Sequence, residues 1–117
     1  MTTALALLAM IIPTMNPEVR HKHHKHKHVD PRVSIVAPYN AKLNRMADCE
    51  SGGRWWLNTG NGFYGGLQFT LGTWWSAGGR GYPNLNSELE QKYRAVRWHN
   101  MIGTWVTSAG WPVCGYR

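Results

Sequence analysis

Two cysteines, Cys49 and Cys114, stand near opposite ends of the stretch from Asn40 to Arg117, and they limit what this chain can fold into more than any other feature. That stretch has 78 residues, a size at which an apolar core alone leaves little margin, so a covalent staple is expected. Joining the pair closes most of the domain into one loop and contributes about 4 kcal/mol in the chain-entropy picture. Two cysteines with no histidine near either in sequence do not make a zinc site, which leaves a disulfide or a pair of free buried thiols. A disulfide carries an oxidising, extracytoplasmic destination with it. It also fixes the segment around Cys49 against the far end of the domain.

Just before Cys49 the chain reads as a short helix, with Asn40 as its cap, Ala41 to Glu50 as its body and Gly52-Gly53 as its stop. Leu43, Met46, Ala47 and Glu50 fall at i, i+3, i+4 and i+7, a single stripe. A carboxyl at the end of an otherwise apolar stripe faces the domain interior, and partial desolvation raises its pKa toward the range useful to a general acid. Asp48 points to another face, into solvent. The competing reading makes Glu50 an ordinary polar residue at the end of an amphipathic helix, and the helix by itself does not decide between the two.

Further along, Asn61-Gly62 between Trp56-Leu57-Asn58-Thr59 and Phe63-Tyr64 signals a two-residue β-hairpin. Thr70 caps a second helix through about Ser76, stopped by Gly78-Gly79. Ser87-Glu88-Leu89-Glu90 is a capping box that opens a longer third helix, with Leu89, Tyr93 and Val96 as its apolar face. The expected class is α+β, mainly α, with one short hairpin. Val33 to Pro38 is an apolar lead-in, either an extended strand packing on the domain or linker.

Ahead of the domain, Ala4 to Ile12 is an apolar run too short to span a bilayer and suited to a signal-peptide core. No Lys or Arg precedes it and no clear Ala-x-Ala site follows, so another export route or a weak membrane-associating peptide are the alternatives. His21-Lys22-His23-His24-Lys25-His26-Lys27-His28 offers nothing apolar to bury and reads as a basic spacer. Its histidines gain charge near pH 6, and loose binding of zinc, copper or nickel is the other use of such a run. The organisation expected is an apolar segment over 1–17, a His/Lys-rich linker over 18–39 and one folded domain over 40–117. No cofactor, no metal centre and no stable membrane span are expected, and the domain is expected to be monomeric.

The net charge of +7 is split, with +3 between Glu18 and Arg32 and +4 from Asn40 onward. A basic protein is drawn to anionic polymers. Nucleic acid is disfavoured as that polymer, because the seven tryptophans lie from Trp55 onward, in the less basic part, whereas single-strand binders interleave aromatics with the basic groove.

From Asn44 to Cys114 the chain resembles the catalytic domain of the resuscitation-promoting factors, a lysozyme-like family of peptidoglycan-cleaving proteins of actinobacteria and their phages. The resemblance is carried by Cys49-Glu50-Ser51-Gly52-Gly53, by Asn58-Thr59-Gly60-Asn61-Gly62-Phe63-Tyr64-Gly65-Gly66-Leu67-Gln68-Phe69, by Thr73-Trp74 and Gly78-Gly79, and by Trp111-Pro112-Val113-Cys114, in order and at nearly the family's spacing. Two departures stand out. Trp75 occupies a position where the family usually has a small or polar residue, and Thr104 to Gly110 lengthens the approach to Trp111.

The resemblance implies a reduced lysozyme architecture, with Glu50 as the catalytic acid at the junction of helix and hairpin and with Gln68 and Thr73 lining the cleft. Tyr64 and Trp74, which flank matched positions, are the aromatic candidates for sugar contact. Tyr82 is a weaker one, and Asn58 and Thr59 complete the candidate binding set. Gly65-Gly66 serves close approach of backbone to sugar or to the first helix. Glycosidases generally use two carboxylates, whereas this domain offers beside Glu50 only Asp48 on another face and Glu88 and Glu90 at a helix start. One acid cutting the bond from N-acetylmuramic acid to N-acetylglucosamine is therefore expected, as a lytic transglycosylase or a hydrolase. The partners implied are peptidoglycan strands and anionic wall polymers, reached by secretion or by phage delivery. A non-catalytic wall-binding or signalling module on the same fold is the main alternative. A small metal-binding or nucleic-acid-binding basic protein is the other.

Overall fold

The computed structural model describes residues 27–117, so the apolar run Ala4 to Ile12 and all but the last two residues of the His/Lys run lie outside the described residues. Four α-helices form this part of the chain, α1 (Pro31–Val36), α2 (Asn40–Ser51), α3 (Leu71–Ser76) and α4 (Glu88–Ile102), with 3₁₀ turns at Ala37–Tyr39, Pro83–Leu85 and Cys114–Tyr116.

Helix α1 exists because Asp30 accepts a hydrogen bond from the Arg32 amide at 2.9 Å and Pro31 supplies a helical φ at the first position. Arg32 then grips Asp30 with its side chain and reaches Glu90 on α4. Its guanidinium hydrogen bonds hold the Asp30 carboxyl down to about 2. Val36, at the end of α1, belongs to the core. The lead-in is thus helical, neither strand nor linker, and the packed unit reaches back to Asp30 rather than starting at Asn40.

Because the chain arrives already coiled through Ala37–Tyr39, α2 begins at Asn40 and Tyr39 is its cap, with no side-chain capping bond. Asn40 does not cap; its Oδ1 accepts from Lys92 Nζ at 2.7 Å. The other end is as read from the glycines. Gly52 sits at φ 66°, and the amides of Gly52 and Gly53 return to the carbonyls of Asp48 and Ala47, the Schellman arrangement that satisfies the last helical carbonyls. Leu43, Met46 and Ala47 are buried and Asp48 is exposed, so the stripe points inward as expected.

The hairpin is smaller than the Asn61-Gly62 signal suggested. Among the described residues, strand pairing reduces to two isolated antiparallel bridges, Asn58 with Tyr64 and Tyr64 with Phe69. Asn58 and Asn61 each turn their side-chain oxygen onto the amide two residues ahead, at 3.0 Å. These local bonds replace ladder bonds, and the loop between Asn58 and Tyr64 is wider than a two-residue turn.

Thr70 and Ser87 cap α3 and α4 through their hydroxyls. The face of α4 is rotated from expectation. Gln91, Lys92, Ala95 and Val96 are buried, while Leu89 and Tyr93 are only partly so. Polar residues at core positions hide a stripe from any reading that follows apolar residues alone. The core joins Leu43, Met46 and Ala47 of α2 to Leu67, Phe69, Trp74, Ala95, Val96 and Trp111. Phe69 stands edge-on to both Trp74 and Trp111, with centroids 5.2 and 5.5 Å away, the preferred geometry for ring quadrupoles. Cys49 and Cys114 are disulfide-bonded, tying the end of α2 to the last 3₁₀ turn. Lys42 and Arg45 add hydrogen bonds to the carbonyls of Gly115 and Arg117.

Candidate active site

The loop Gly65 to Phe69 is the centre of the site, and buried side chains hold it from three sides. Gln91 of α4 has no exposed surface. Its Oε1 accepts from the Gly66 amide at 2.9 Å, and its Nε2 donates to the carbonyls of Trp55 and Asn86. From α2, the Ser51 hydroxyl lies 2.8 Å from the Gly66 carbonyl and 3.1 Å from that of Ala47, and it accepts from the Arg54 amide. From the far side, Trp111 Nε1 donates to the Leu67 carbonyl at 2.7 Å. Both glycines are required by contact. A Cβ on Gly65 would stand 2.3 Å from Gln91 Oε1, and one on Gly66 would stand 2.3 Å from the Trp55 ring. The close approach is therefore to Gln91 and Trp55.

Gln68 ends this loop in the left-handed region, at φ 52°, which only this non-glycine among the described residues adopts. Its amide nitrogen donates to the Gly65 carbonyl at 2.9 Å. Such conformations cost free energy and persist where the surroundings over-determine them.

Beside the loop lies a cleft of ≈ 480 Å³ lined by Phe63, Gln68 and Phe69, by Thr70, Gly72, Thr73 and Ser76 of α3, by Trp98 of α4 and by Ser108 to Pro112. Thr73 donates its hydroxyl to the Ala109 carbonyl at 3.0 Å, linking the α3 wall to the opposite one. Of the residues expected here, Gln68 and Thr73 line this cleft. Asn58, Thr59 and Tyr64 do not, although Tyr64 directly follows the lining Phe63. Asn58 and Thr59 are exposed on the Asn58–Tyr64 loop.

Trp74 is corrected outright: it is fully buried, packs on Phe69 and gives its Nε1 hydrogen to the Arg80 carbonyl. In a helix of six residues only one of two adjacent tryptophans can face the core, and the outward one is Trp75. Trp98 and the Ser108 to Pro112 wall were not anticipated, the latter because it falls in the lengthened approach to Trp111.

Glu50 does not line the cleft. It is one residue from Ser51, whose hydroxyl holds Gly66, two residues before Gln68. Half-buried, its carboxyl is raised above the ordinary value of 4.5 by burial alone. The other described carboxylates are committed or solvated: Asp30 to Arg32, Glu88 to Lys92, Glu90 to Arg32 and Arg94, while Asp48 is exposed beside Arg45 and Arg117. Among the described residues no group of three or more His, Cys, Asp or Glu could hold a metal ion. Nor is any helix there long and apolar enough to cross a membrane.

Residues 37–114 match the family model described as a transglycosylase-like domain. The chain is 49% identical over 89 residues to the resuscitation-promoting factor Rpf of Micrococcus luteus, covering 73% of this chain and 38% of that protein. It is 46% identical over 83 residues to RpfE of Mycobacterium tuberculosis, covering 71% and 46%. To Rpf1 of Corynebacterium glutamicum it is 41% identical over 86 residues, covering 69% and 42%. The chain thus spans less than half the length of these relatives. With the matched region coinciding with the α2-to-Cys114 unit just described, the chain belongs to the transglycosylase-like family and carries the domain of the resuscitation-promoting factors.

Proposed function

We propose that this domain cleaves peptidoglycan at the β-1,4 bond from N-acetylmuramic acid to N-acetylglucosamine, with Glu50 as the only protein acid. The observation that carries the reading is the state of the carboxylates: Glu50 alone among those described is half-buried and free of an ion pair. Burial raises its carboxyl above the ordinary value of 4.5, the direction that favours a proton donor. In the reaction, protonated Glu50 gives its proton to the glycosidic oxygen as the bond to the muramic anomeric carbon breaks. The substrate's acetamido group stabilises the cationic centre. The Glu50 carboxylate then takes a proton from the C6 hydroxyl of the same muramic residue as that oxygen closes on the anomeric carbon, which restores the acid and leaves a 1,6-anhydro end.

Two features support intramolecular closure over attack by water. The one other described carboxylate outside an ion pair, Asp48, is exposed on another face of α2, and Gly66-Leu67-Gln68 echoes the Gly-Leu-Met-Gln motif of lytic transglycosylases. Gln68 and Thr73 position the strand from the cleft. The disulfide beside Glu50 suits action outside the cytoplasm, at the wall. A non-catalytic wall-binding module would have no use for a carboxyl kept half-buried and unpaired.

Mass spectrometry of a peptidoglycan digest tests this reading. Muropeptides lighter than the hydrolysed form by one water are expected. Reducing ends carrying solvent oxygen throughout would make the protein a hydrolase, and a Glu50→Gln variant that still clears a wall-embedded gel would reject the acid.

A further inference from the structure

Three aromatic side chains, Trp75, Tyr82 and Tyr64, adjoin the cleft without lining it. Trp75 of α3 is 55% exposed and Tyr82 46% exposed. Trp75 Nε1 donates to the Gly81 carbonyl at 3.0 Å, which fixes the indole plane against the loop that carries Tyr82. Tyr82 in turn packs on Tyr64, with ring centroids 5.4 Å apart. The three adjoin the cleft through chain neighbours that line it, Phe63 just before Tyr64 and Gly72 and Ser76 on the helix that carries Trp75.

The fold does not need Trp75 to hold this loop. The carbonyls of Arg80 and Tyr82 already accept from Trp74 Nε1 and from Asn86 Nδ2. A large indole left half in water, yet locked in one orientation, loses little conformational entropy when a flat apolar face covers it. Hexopyranose rings offer such faces, with axial hydrogens that suit the negative face of an aromatic quadrupole.

We propose that Trp75, Tyr82 and Tyr64 form an aromatic ledge that stacks on pyranose rings of a polysaccharide strand beyond those held in the cleft, with Trp75 as its anchor. The proposal rests on the reading of the domain as one that acts on glycan. It makes Trp75, the departure from the family's usual small or polar residue, a length sensor: long strands gain a contact that short ones do not reach.

The test uses the full chain carrying Glu50→Gln, so that binding is read without cleavage, and compares N-acetylglucosamine disaccharide with hexasaccharide by calorimetry and by the indole N–H signals in NMR. The hexasaccharide is expected to bind more tightly than the disaccharide and to shift the Trp75 signal. Adding Trp75→Ala is expected to weaken the hexasaccharide roughly tenfold and leave the disaccharide unchanged. Trp75→Phe should restore most of the loss, and Tyr82→Ala should cost less than Trp75→Ala. Equal affinity of parent and Trp75→Ala for the hexasaccharide, or a Trp75 signal unmoved at saturation, overturns the ledge. So does a loss of the same size on both sugars. Binding of phospholipid vesicles or a second copy through Trp75 with no response to either sugar would overturn it as well. Failure of the catalytic reading looks different, because Glu50→Gln would then cleave while the binding series stayed as expected.

Discussion

The two sides of the cleft are built to different standards. On the side nearer Glu50, three buried side chains hold the Gly65–Phe69 loop: Gln91 accepts from the Gly66 amide, the Ser51 hydroxyl bonds the Gly66 carbonyl, and Trp111 donates to the Leu67 carbonyl. On the opposite side, Trp98 Nε1 and Thr107 Oγ1 are buried without a hydrogen-bond partner among the described residues, as is Nδ1 of His99, the residue after Trp98. There His99 stacks flat on Trp105 at 4.0 Å, and Thr73 to Ala109 joins this wall to α3. Satisfied buried networks define one arrangement, whereas unpaired groups leave several arrangements close in free energy. The Gly65–Phe69 loop is therefore the more firmly fixed of the two walls.

The largest blow to the rigid side comes from the disulfide. Replacing Cys49 and Cys114 by Ser should destabilise the domain by about 4 kcal/mol, read as a collapse of the thermal midpoint that reductant reproduces in the parent. A midpoint unmoved by reductant would show that packing alone fixes the end of α2. Next is Gln91→Leu, which keeps the volume and strands the Gly66 amide and the carbonyls of Trp55 and Asn86. We expect about 3 kcal/mol lost and activity lost with it, since buried unpaired groups bear the full desolvation cost. A loss under about 1 kcal/mol would place the rigidity elsewhere.

On the adaptable side, Thr73→Val cuts the bond to Ala109 at a cost of about 1 kcal/mol. Its signature should be a raised KM with the fold intact by circular dichroism. A change of several kcal/mol would erase the contrast between the two walls.

The smallest effect concerns Glu50 itself. Its carboxyl is raised in the folded state, so burial penalises the charged form. The penalty is absent below the ordinary value of 4.5 and grows as pH climbs from there through the folded value. Glu50→Gln should therefore melt slightly higher than the parent at neutral pH, the gain being discounted for the side chain's partial exposure. The two curves should converge in acid, and a variant that melts lower at neutral pH would mean that the carboxylate makes a favourable contact.

What was legible in the sequence on either side rests on local signals, for a physical reason. Leu43, Met46, Ala47 and Glu50 announce their common face by spacing, the two cysteines allow a single pairing within the chain, and Thr70 and Ser87 cap helices by local chemistry alone. What escaped depends on distant partners. Gln91 reads as a surface amide until Gly66 and Trp55 are folded against it. Trp74 and Trp75 are indistinguishable until α3 is placed on Phe69. The Asp30-Pro31 start of α1 is a local signal that could have been used, but six residues make a helix only when Arg32 finds Glu90 and Val36 finds the core. The wall over 104–112 has no periodicity at all, and its course follows from Trp105, Trp111 and Gly115 packing together.

The Arg32 clasp has a consequence for how the domain is carried. Arg32 meets α4 in its first turn, at Glu90, while Trp98 touches the cleft two turns later, about 12 Å along the same helix. The chain thus enters the domain at one end of α4, and the cleft opens near the other. A pull on the chain ahead of Asp30 would load the Arg32–Glu90 ion pair first, and not the Thr73–Ala109 bond that joins the two walls of the cleft.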